Sequence, residues 1–358
     1  MPMPVPRTNS PLVAEATISI NGSPLSVEAR SHLIAVTVED DLYLPGFFEI
    51  ELTGSGTQAN DRRWPDEADF APGNSVEIGL GYLNDVETVF KGEITEVDAL
   101  FSQNNAPRVC LRGYDRRHRL QRGRKVRSFV KQKDSDIATK IAQEAGLTPQ
   151  VVDSSVSHEY VLQNNQTDLI FLQERAEQIN YEVVVMDKTL SFRPAGNGAG
   201  DSITLKLDED LIEFSPCLNA GGQITEVQVQ GWDVKTKKAI RATARKGAEV
   251  AQMGGKALGS AFADSAFGGA ISIISDRPVA GQEEAQQIAG AQFNRTLLHF
   301  IEGRGRCFGR TDLKAGKVVK IEVGSDRFSG SYYVTTVSHH YQVSRGYYTS
   351  FTVGRNAL

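Results

Sequence analysis

Over most of its length this chain alternates apolar and polar residues one for one, the period of half-buried antiparallel strands. Six such runs, at 17–20, 33–38, 47–52, 75–80, 86–97 and 108–112, are separated by turn signals such as Asn21-Gly22, Pro72-Gly73 and Asn104-Asn105. Short strands at this spacing predict a barrel or a tightly curved sheet. Residues 60–69, with Arg62, Arg63, Trp64 and Pro65, read as an irregular loop between strands. Trp64 is a candidate partner anchor, although packing over its own barrel is the commoner use of such a residue.

The period then changes. Asp134 or Ser135 can cap a helix that runs to about Glu144, with Ile137 and Ile141 on one face and Gly146 ending it. A second helix follows 165–167, with Leu169, Leu172, Ala176 and Ile179 in one apolar stripe. The hairpin 181–186 and 189–192, turned at Asp187-Lys188, supplies a sheet for both helices, so this stretch reads as a compact α+β module. Alternation returns at 203–207, 211–214, 224–230 and 239–242, and again over 318–353. A helix with Ala285, Ala289, Phe293 and Leu297 at intervals of four interrupts it. So does 246–270, rich in glycine and alanine and too poor in large apolar groups to pack itself. That loop is expected to be mobile or ordered by a neighbour, with Met253, Phe262 and Phe267 as contact candidates. The division is a tail 1–12, a first β-barrel domain 13–121, an α+β module 122–200, and a second β-barrel domain 201–358 that contains the loop 246–270 and a helical insertion 281–298.

One pattern occurs twice. Gly73, Val76, Ile78, Leu80 and Gly81 are matched at identical spacing by Gly316, Val319, Ile321, Val323 and Gly324. The first continues through Phe90, Gly92, Ile94, Thr95, Val97 and Gly113; the second through Phe328, Gly330, Val334, Thr335, Val337 and Gly354, with two residues inserted after Gly330. Duplication of one small β-domain follows, and a chain with two copies can build a ring with twice as many equivalent positions as subunits.

Charge and composition narrow the possible roles. With 39 basic and 44 acidic residues among 358, the net charge of -5 argues against a protein devoted to coating nucleic acid, while leaving room for a local basic patch. Cys110, Cys217 and Cys307 are widely spaced and odd in number, which predicts reduced, buried thiols rather than disulfides or a metal cage. The proline-rich first residues lack the apolar core of a signal peptide, and no run of eighteen apolar residues occurs, so a cytoplasmic site of folding and no membrane insertion are expected. No nucleophile elbow, phosphate loop or metal-binding helix motif is present, and no catalytic, cofactor-binding or metal-ligating residue is assigned. His339-His340, neighbours on a strand, point to opposite faces and suit a surface or interface role better than a metal. Gly303 to Gly309 imitates a dinucleotide loop with the wrong spacing and reads as a turn. The clusters at 39–41 and 208–210 read as solvated turns rather than calcium loops.

A basic run stands out. Arg112, Arg116, Arg117, Arg119, Arg122, Arg124, Lys125 and Arg127 face the single Asp115, so these cations need carboxylates or phosphates nearby. Acidic partners on a neighbouring subunit or in the α+β module are favoured over phosphates, because only Tyr114 is interleaved as an aromatic.

The run from Gly113-Tyr114-Asp115-Arg116-Arg117-His118-Arg119-Leu120 through Arg122-Gly123-Arg124 resembles the exit from the first barrel in the phage late control protein D family, which includes contractile-tail hubs and the hub half of VgrG spikes. Asp136-Ile137-Ala138, Gly146-Leu147, Gln163 to Asp168 with Phe171-Leu172, Gly231-Trp232-Asp233 and Gly330 to Val334 are similar to later parts of that family. The resemblance covers 13–355. It implies a mainly β fold with an α+β insertion: two related antiparallel barrels flanking a small module, arranged as a trimeric, pseudo-sixfold ring. It also implies a baseplate hub without enzymatic activity or cofactor. Its expected partners are two further copies, a trimeric spike, a hexameric inner tube or tube initiator, other baseplate components and a tape-measure protein. Assembly in the bacterial cytoplasm and a final place in a virion or injection particle are implied as well. The alternatives are a hub that also hydrolyses cell wall or carries an effector, and a nucleic-acid-binding barrel protein. No spike segment of the VgrG kind follows the second repeat in this sequence.

Overall fold

The computed structural model describes residues 13–54, 68–83, 85–102, 106–198 and 203–358. The alternating first third forms β1 (Ala14–Ile20), β2 (Ser23–Pro24), β3 (Leu33–Asp41), β4 (Phe47–Thr53), β5 (Ser75–Tyr82), β6 (Asp85–Leu100) and β7 (Arg108–Tyr114). A one-turn helix, α1 (Val27–Ser31), is added between β2 and β3, capped by Ser26, whose Oγ accepts from the Ala29 amide at 3.1 Å. The inward residues of these strands, among them Val36, Phe48, Ile50, Ile78 and Leu111, make one core. Each such side chain withdrawn from water stabilises the unit by roughly 1.5–3 kcal/mol before entropy is counted.

The middle third holds α2 (Arg117–Leu120), β8 (Lys125–Lys133), α3 (Asp134–Glu144), β9 (Thr148–Val151), β10 (Ser157–Gln166), α4 (Asp168–Gln178), β11 (Tyr181–Met186) and β12 (Thr189–Pro194). Both helices lie where the apolar stripes put them. Thr167 Oγ1 caps α4 by accepting from the Ile170 amide, and Gly146, at φ +70°, carries the chain out of α3. Ile137, Ile141, Leu169 and Leu172 are buried with Phe192 in a separate core.

The last third contains β13 (Ile203–Lys206), β14 (Leu211–Leu218), β15 (Glu226–Asp233), β16 (Lys238–Arg245), α5 (Gly259–Phe267), β17 (Ile271–Ile274), α6 (Gln282–Leu298), β18 (Ile301–Phe308), β19 (Val318–Glu322), β20 (Gly330–Gln342) and β21 (Gly346–Arg355). Its outer strands have the neighbours of the first third. The orders β3-β4-β7-β6-β5-β1 and β14-β18-β21-β20-β19-β13 correspond strand for strand, except that β1 runs antiparallel to β5 and β13 parallel to β19. Two irregularities also recur at matching places. The ladder slips between Ile94 and Glu96 and between Val334 and Thr336, and again between Leu33 and Ala35 and between Leu211 and Glu213. A bulge is a costly local choice, so two at equivalent points are hard to explain without a common origin. The registers refine the alignment: Gly113 sits opposite Ile94, whereas Val353, not Gly354, sits opposite Val334.

The expected pair of barrels takes another form. β20 pairs with β3 from Thr336↔Asp41 to Gln342↔Ala35, joining both units into one thirteen-stranded sheet, and no sheet closes on itself among the described residues. The insertion is larger than the patterns suggested, because all of 219–300 separates β14 from β18. There β15, β16 and β17 pack on α6 around Val229, Ile240, Phe293 and Leu297.

Three segments differ from what their local pattern predicts. Gly303 to Gly309 is not a turn but strand β18 and its end. Its glycines make room for rings, since a Cβ at Gly303 would lie 2.6 Å from Phe214 and one at Gly305 would run into Phe351. The stretch 246–270 is held by its own chain: it contains α5, and the Met253 amide donates to Asn356 Oδ1 at 3.0 Å. The run 39–41 ends strand β3 rather than forming a solvated turn; Asp40 Oδ2 accepts from the Ala315 amide at 3.1 Å, and burial raises its pKa.

Candidate interaction surface

The basic run lies where β7 leaves the first unit and enters the module, and carboxylates of the same chain absorb most of it. Arg112 Nε donates to Glu49 Oε2 at 2.6 Å and its Nη1 to Glu96 Oε1 at 2.9 Å. Glu93, nearly buried on β6, collects Arg116 at 3.2 Å, His118 at 2.9 Å and Arg119 at 2.6 Å. Burial works against ionisation there, yet the hydrogen bonds from Arg119 and His118 hold the Glu93 carboxyl below its usual range. Arg117, fully buried, donates to Asp115 Oδ2 and to the Asp41 carbonyl, both at 2.8 Å. Lys125 and Arg127 share Asp168 at 2.6 and 2.8 Å, and Arg124 donates to the Asn165 carbonyl. Arg122 is exposed. The favoured acidic partners are therefore in the module and, beyond expectation, in the first β-unit itself; the run works as a fastener between the two.

Two further buried clusters fasten the remaining bodies. His158 on β10 lies 3.0 Å from Asp134 of α3 and 3.2 Å from Glu284 of α6, and Arg175 of α4 reaches Asp134 at 2.5 Å. Burial disfavours its charge, but the bonds to Asp134 and Glu284 prevail and raise the imidazole pKa to about 9. An open cleft of about 870 Å³ runs beside this cluster, with Trp232 and Tyr160 exposed on its walls. The second cluster joins Glu182 of β11 to Tyr333 of β20. The Tyr333 hydroxyl donates to Glu182 Oε1, Oε2 has no hydrogen-bond partner, and burial pushes the carboxyl up to about 7.

The other candidates scatter. Trp64 lies outside the described residues. Met253 is buried against Leu42, Val318 and Tyr333 in its own chain, which removes it as a contact for a neighbour. Phe262 is half-exposed over Phe300, and Phe267 is 74% exposed at the end of α5. His339 is not a surface residue: it is buried between the Tyr347 hydroxyl at 2.8 Å and Thr349 Oγ1 at 3.1 Å, and burial lowers its pKa to about 3. Of the cysteines, Cys307 is buried, Cys110 half-buried and Cys217 exposed, so one of the three departs from the buried thiols expected. No three His, Cys, Asp or Glu side chains gather as a metal site among the described residues, and none of their helices is long and apolar enough to cross a membrane.

Among the described residues the open margins of the large sheet include two strand edges, those of β14 and β6, and it presents a polar face. β14 ends the sheet with its outer edge unpaired from Glu213 to Leu218, and β6 beyond Ile94 pairs only with β7 among the described residues. The polar face carries Glu49, Glu51, Glu96 and Asp98 in the first unit. In the second, Arg304 and Arg306 take the places of Glu49 and Glu51.

Residues 10–342 match the family described as the Alg8 N-terminal domain. The chain belongs to that family. No curated protein sequence matches it. Solved structures share the fold of this family member. One is the 43 kDa tail protein of prophage MuSo2 from Shewanella oneidensis, at TM-score 0.69 and 14% identity, covering 96% of this chain and 98% of that one. Another is a tail protein from Neisseria meningitidis MC58, at TM-score 0.69 and 12% identity over 96% and 97%. A third is an E. coli component of the type VI secretion system, at TM-score 0.61 and 15% identity over 95% and 77%. At such identities the likeness establishes a phage-tail fold.

Proposed function

We propose that this chain is a non-enzymatic baseplate hub of the late control protein D kind, in a contractile phage tail or an injection system derived from one. Three copies form a ring of six barrel-like units, one side seating a trimeric spike and the other a hexameric tube or its initiator. The units are those of 13–121 and 201–358, with the module 122–200 between them. The observation that carries this reading is the duplicated six-strand unit, with its two matched bulges, joined to its twin edge to edge. Such a chain already contains one of the junctions a pseudo-sixfold ring repeats. Internal neutralisation of the basic run supports it against the nucleic-acid alternative. The test is the assembled mass by mass photometry, with the chain alone and co-produced with the spike of its particle. A trimer is expected, and a monomer in the presence of spike overturns the reading.

A further inference from the structure

The junction between β3 and β20 is a template for a second one. Thr336, just past the bulge of β20, lies opposite Asp41 of β3. Glu96 holds the same place past the bulge of β6. Likewise β14 stands where β3 stands: Val38 pairs with Phe48 and Pro216 with Gly303, and these sit opposite Gly113 and Val353. Inside the chain, then, the edge of the second unit's β20 is capped by the first unit's β3. Among the described residues the equivalent edge of the first unit, on β6, has no cap, and the equivalent cap, β14, has no edge to cover.

We propose that the outer edge of β6 pairs antiparallel with the outer edge of β14 of a second copy of this chain, in the register of the internal junction. This rests on the hub reading and deepens it by naming the strands that close the ring. Transferred residue by residue, the template places Glu96 opposite Asn219, Asp98 opposite Cys217 and Leu100 opposite Ser215 of the next copy. The contact is heterologous, each copy using β6 for one neighbour and β14 for the other, so it generates a closed ring where the rotation permits. The charge pattern along the junction is mixed: Glu96 and Asp98 are exposed on β6 and bridged to Arg112, while one strand beyond β14 the neighbour presents Glu302 in the row of Asp98, Arg304 in the row of Leu100, and Arg306 bridged to its own Glu213. Leu100, 62% exposed, would be covered.

Pro216 sets a limit on that ladder. The Asn219 amide points inward to the Phe300 carbonyl, and amides alternate along a strand, so the donor that proline lacks is an outward one. The junction between copies is one hydrogen bond poorer than the junction within the chain. Proline on an edge also discourages indiscriminate strand addition.

Cross-linking tests the register. Asp98→Cys, made with Cys110→Ser because Cys110 faces Asp98 across β7, sets a thiol opposite the native, exposed Cys217 of the neighbour. Mild oxidation or a short bis-maleimide is expected to give covalent dimers and closed trimers, lost when Cys217→Ser is added. On the unmodified chain, hydrogen exchange at the β6 amides that point away from β7 is expected to slow at least tenfold on assembly, a readout independent of whether the variant folds. Trimers by mass photometry without Cys217-dependent links or β6 protection overturn the strand assignment and leave the hub reading standing. A monomer at every concentration and with spike present overturns both.

Discussion

The Tyr333 hydroxyl donates to Glu182 in a buried contact that ties the hairpin of the module to the second β-unit. The carboxylate has Arg193 only at 3.9 Å, and its second oxygen is unpartnered, so burial dominates and favours the protonated form. A carboxyl raised from 4.5 to about 7 binds its proton more tightly folded than unfolded. Its contribution is therefore present below pH 4.5 and falls away as pH rises towards 7. Glu182→Gln should flatten that decline and raise stability at pH 8 by up to about 3 kcal/mol, read from urea unfolding at pH 5 and 8. Parallel pH curves for the two proteins would show that Glu182 is not the group responsible.

His158 titrates in the same sense but in a higher pH window. Its folded pKa of about 9 lies above the ordinary 6.5, so the charged imidazole stabilises fully below 6.5 and the gain is lost as pH rises through 9. His158→Gln leaves Asp134 and Glu284 without that cation. It should cost about 2 kcal/mol at pH 7, less than a fully enclosed pair because a cleft opens beside it, and almost nothing at pH 10. Thermal melts at both pH values check this, and an equal loss at each would refute it.

Glu93 gathers three basic side chains, so Glu93→Gln should both destabilise and release charge. A loss of about 2–3 kcal/mol is expected, together with salt-sensitive retention on heparin stronger than that of the parent chain. Unchanged heparin retention would mean that Arg119 finds another carboxylate and that Asp187 alone suffices for Arg116.

Gly305 and Gly290 make a matched pair of substitutions. A Cβ at Gly305 meets the Phe351 ring, whereas at Gly290, inside α6, it meets nothing within 4 Å. Gly305→Ala should lose about 1–3 kcal/mol through overpacking, and Gly290→Ala should gain about 0.5–1 kcal/mol through helix propensity. Differential scanning calorimetry on both variants decides whether ring packing or backbone freedom fixed the choice of glycine.

Much of the fold could be read from local pattern. The stripe of Leu169, Leu172 and Ala176 and the Asp187-Lys188 turn put α4, β11 and β12 within two residues of where they lie, because helix period and turn chemistry are local. β18 escapes the local pattern because its glycines serve aromatic rings from other strands, Phe214 and Phe351, which no local rule shows. Closure into barrels is not legible for a related reason: alternation says that a strand has two faces, not which edge its last neighbour takes. The burial of Met253 depends on the same long range, through Asn356, more than a hundred residues on. Of the candidate surface, the clustering of the arginines was visible in sequence, but their carboxylates, Glu49, Glu93 and Asp168, lie on separate elements and emerged only with the fold. The exposed Cys217 and the open edges of β6 and β14 have no signature along the chain.

The seven residue pairs that join β3 to β20 also decide how the molecule carries load. Force entering one β-unit along the strand direction must slide this ladder, straining its hydrogen bonds together rather than peeling them one at a time. The two units then respond as a single stiff plate, and mechanical failure should begin elsewhere, at the fasteners of the module, where fewer and more polar contacts hold.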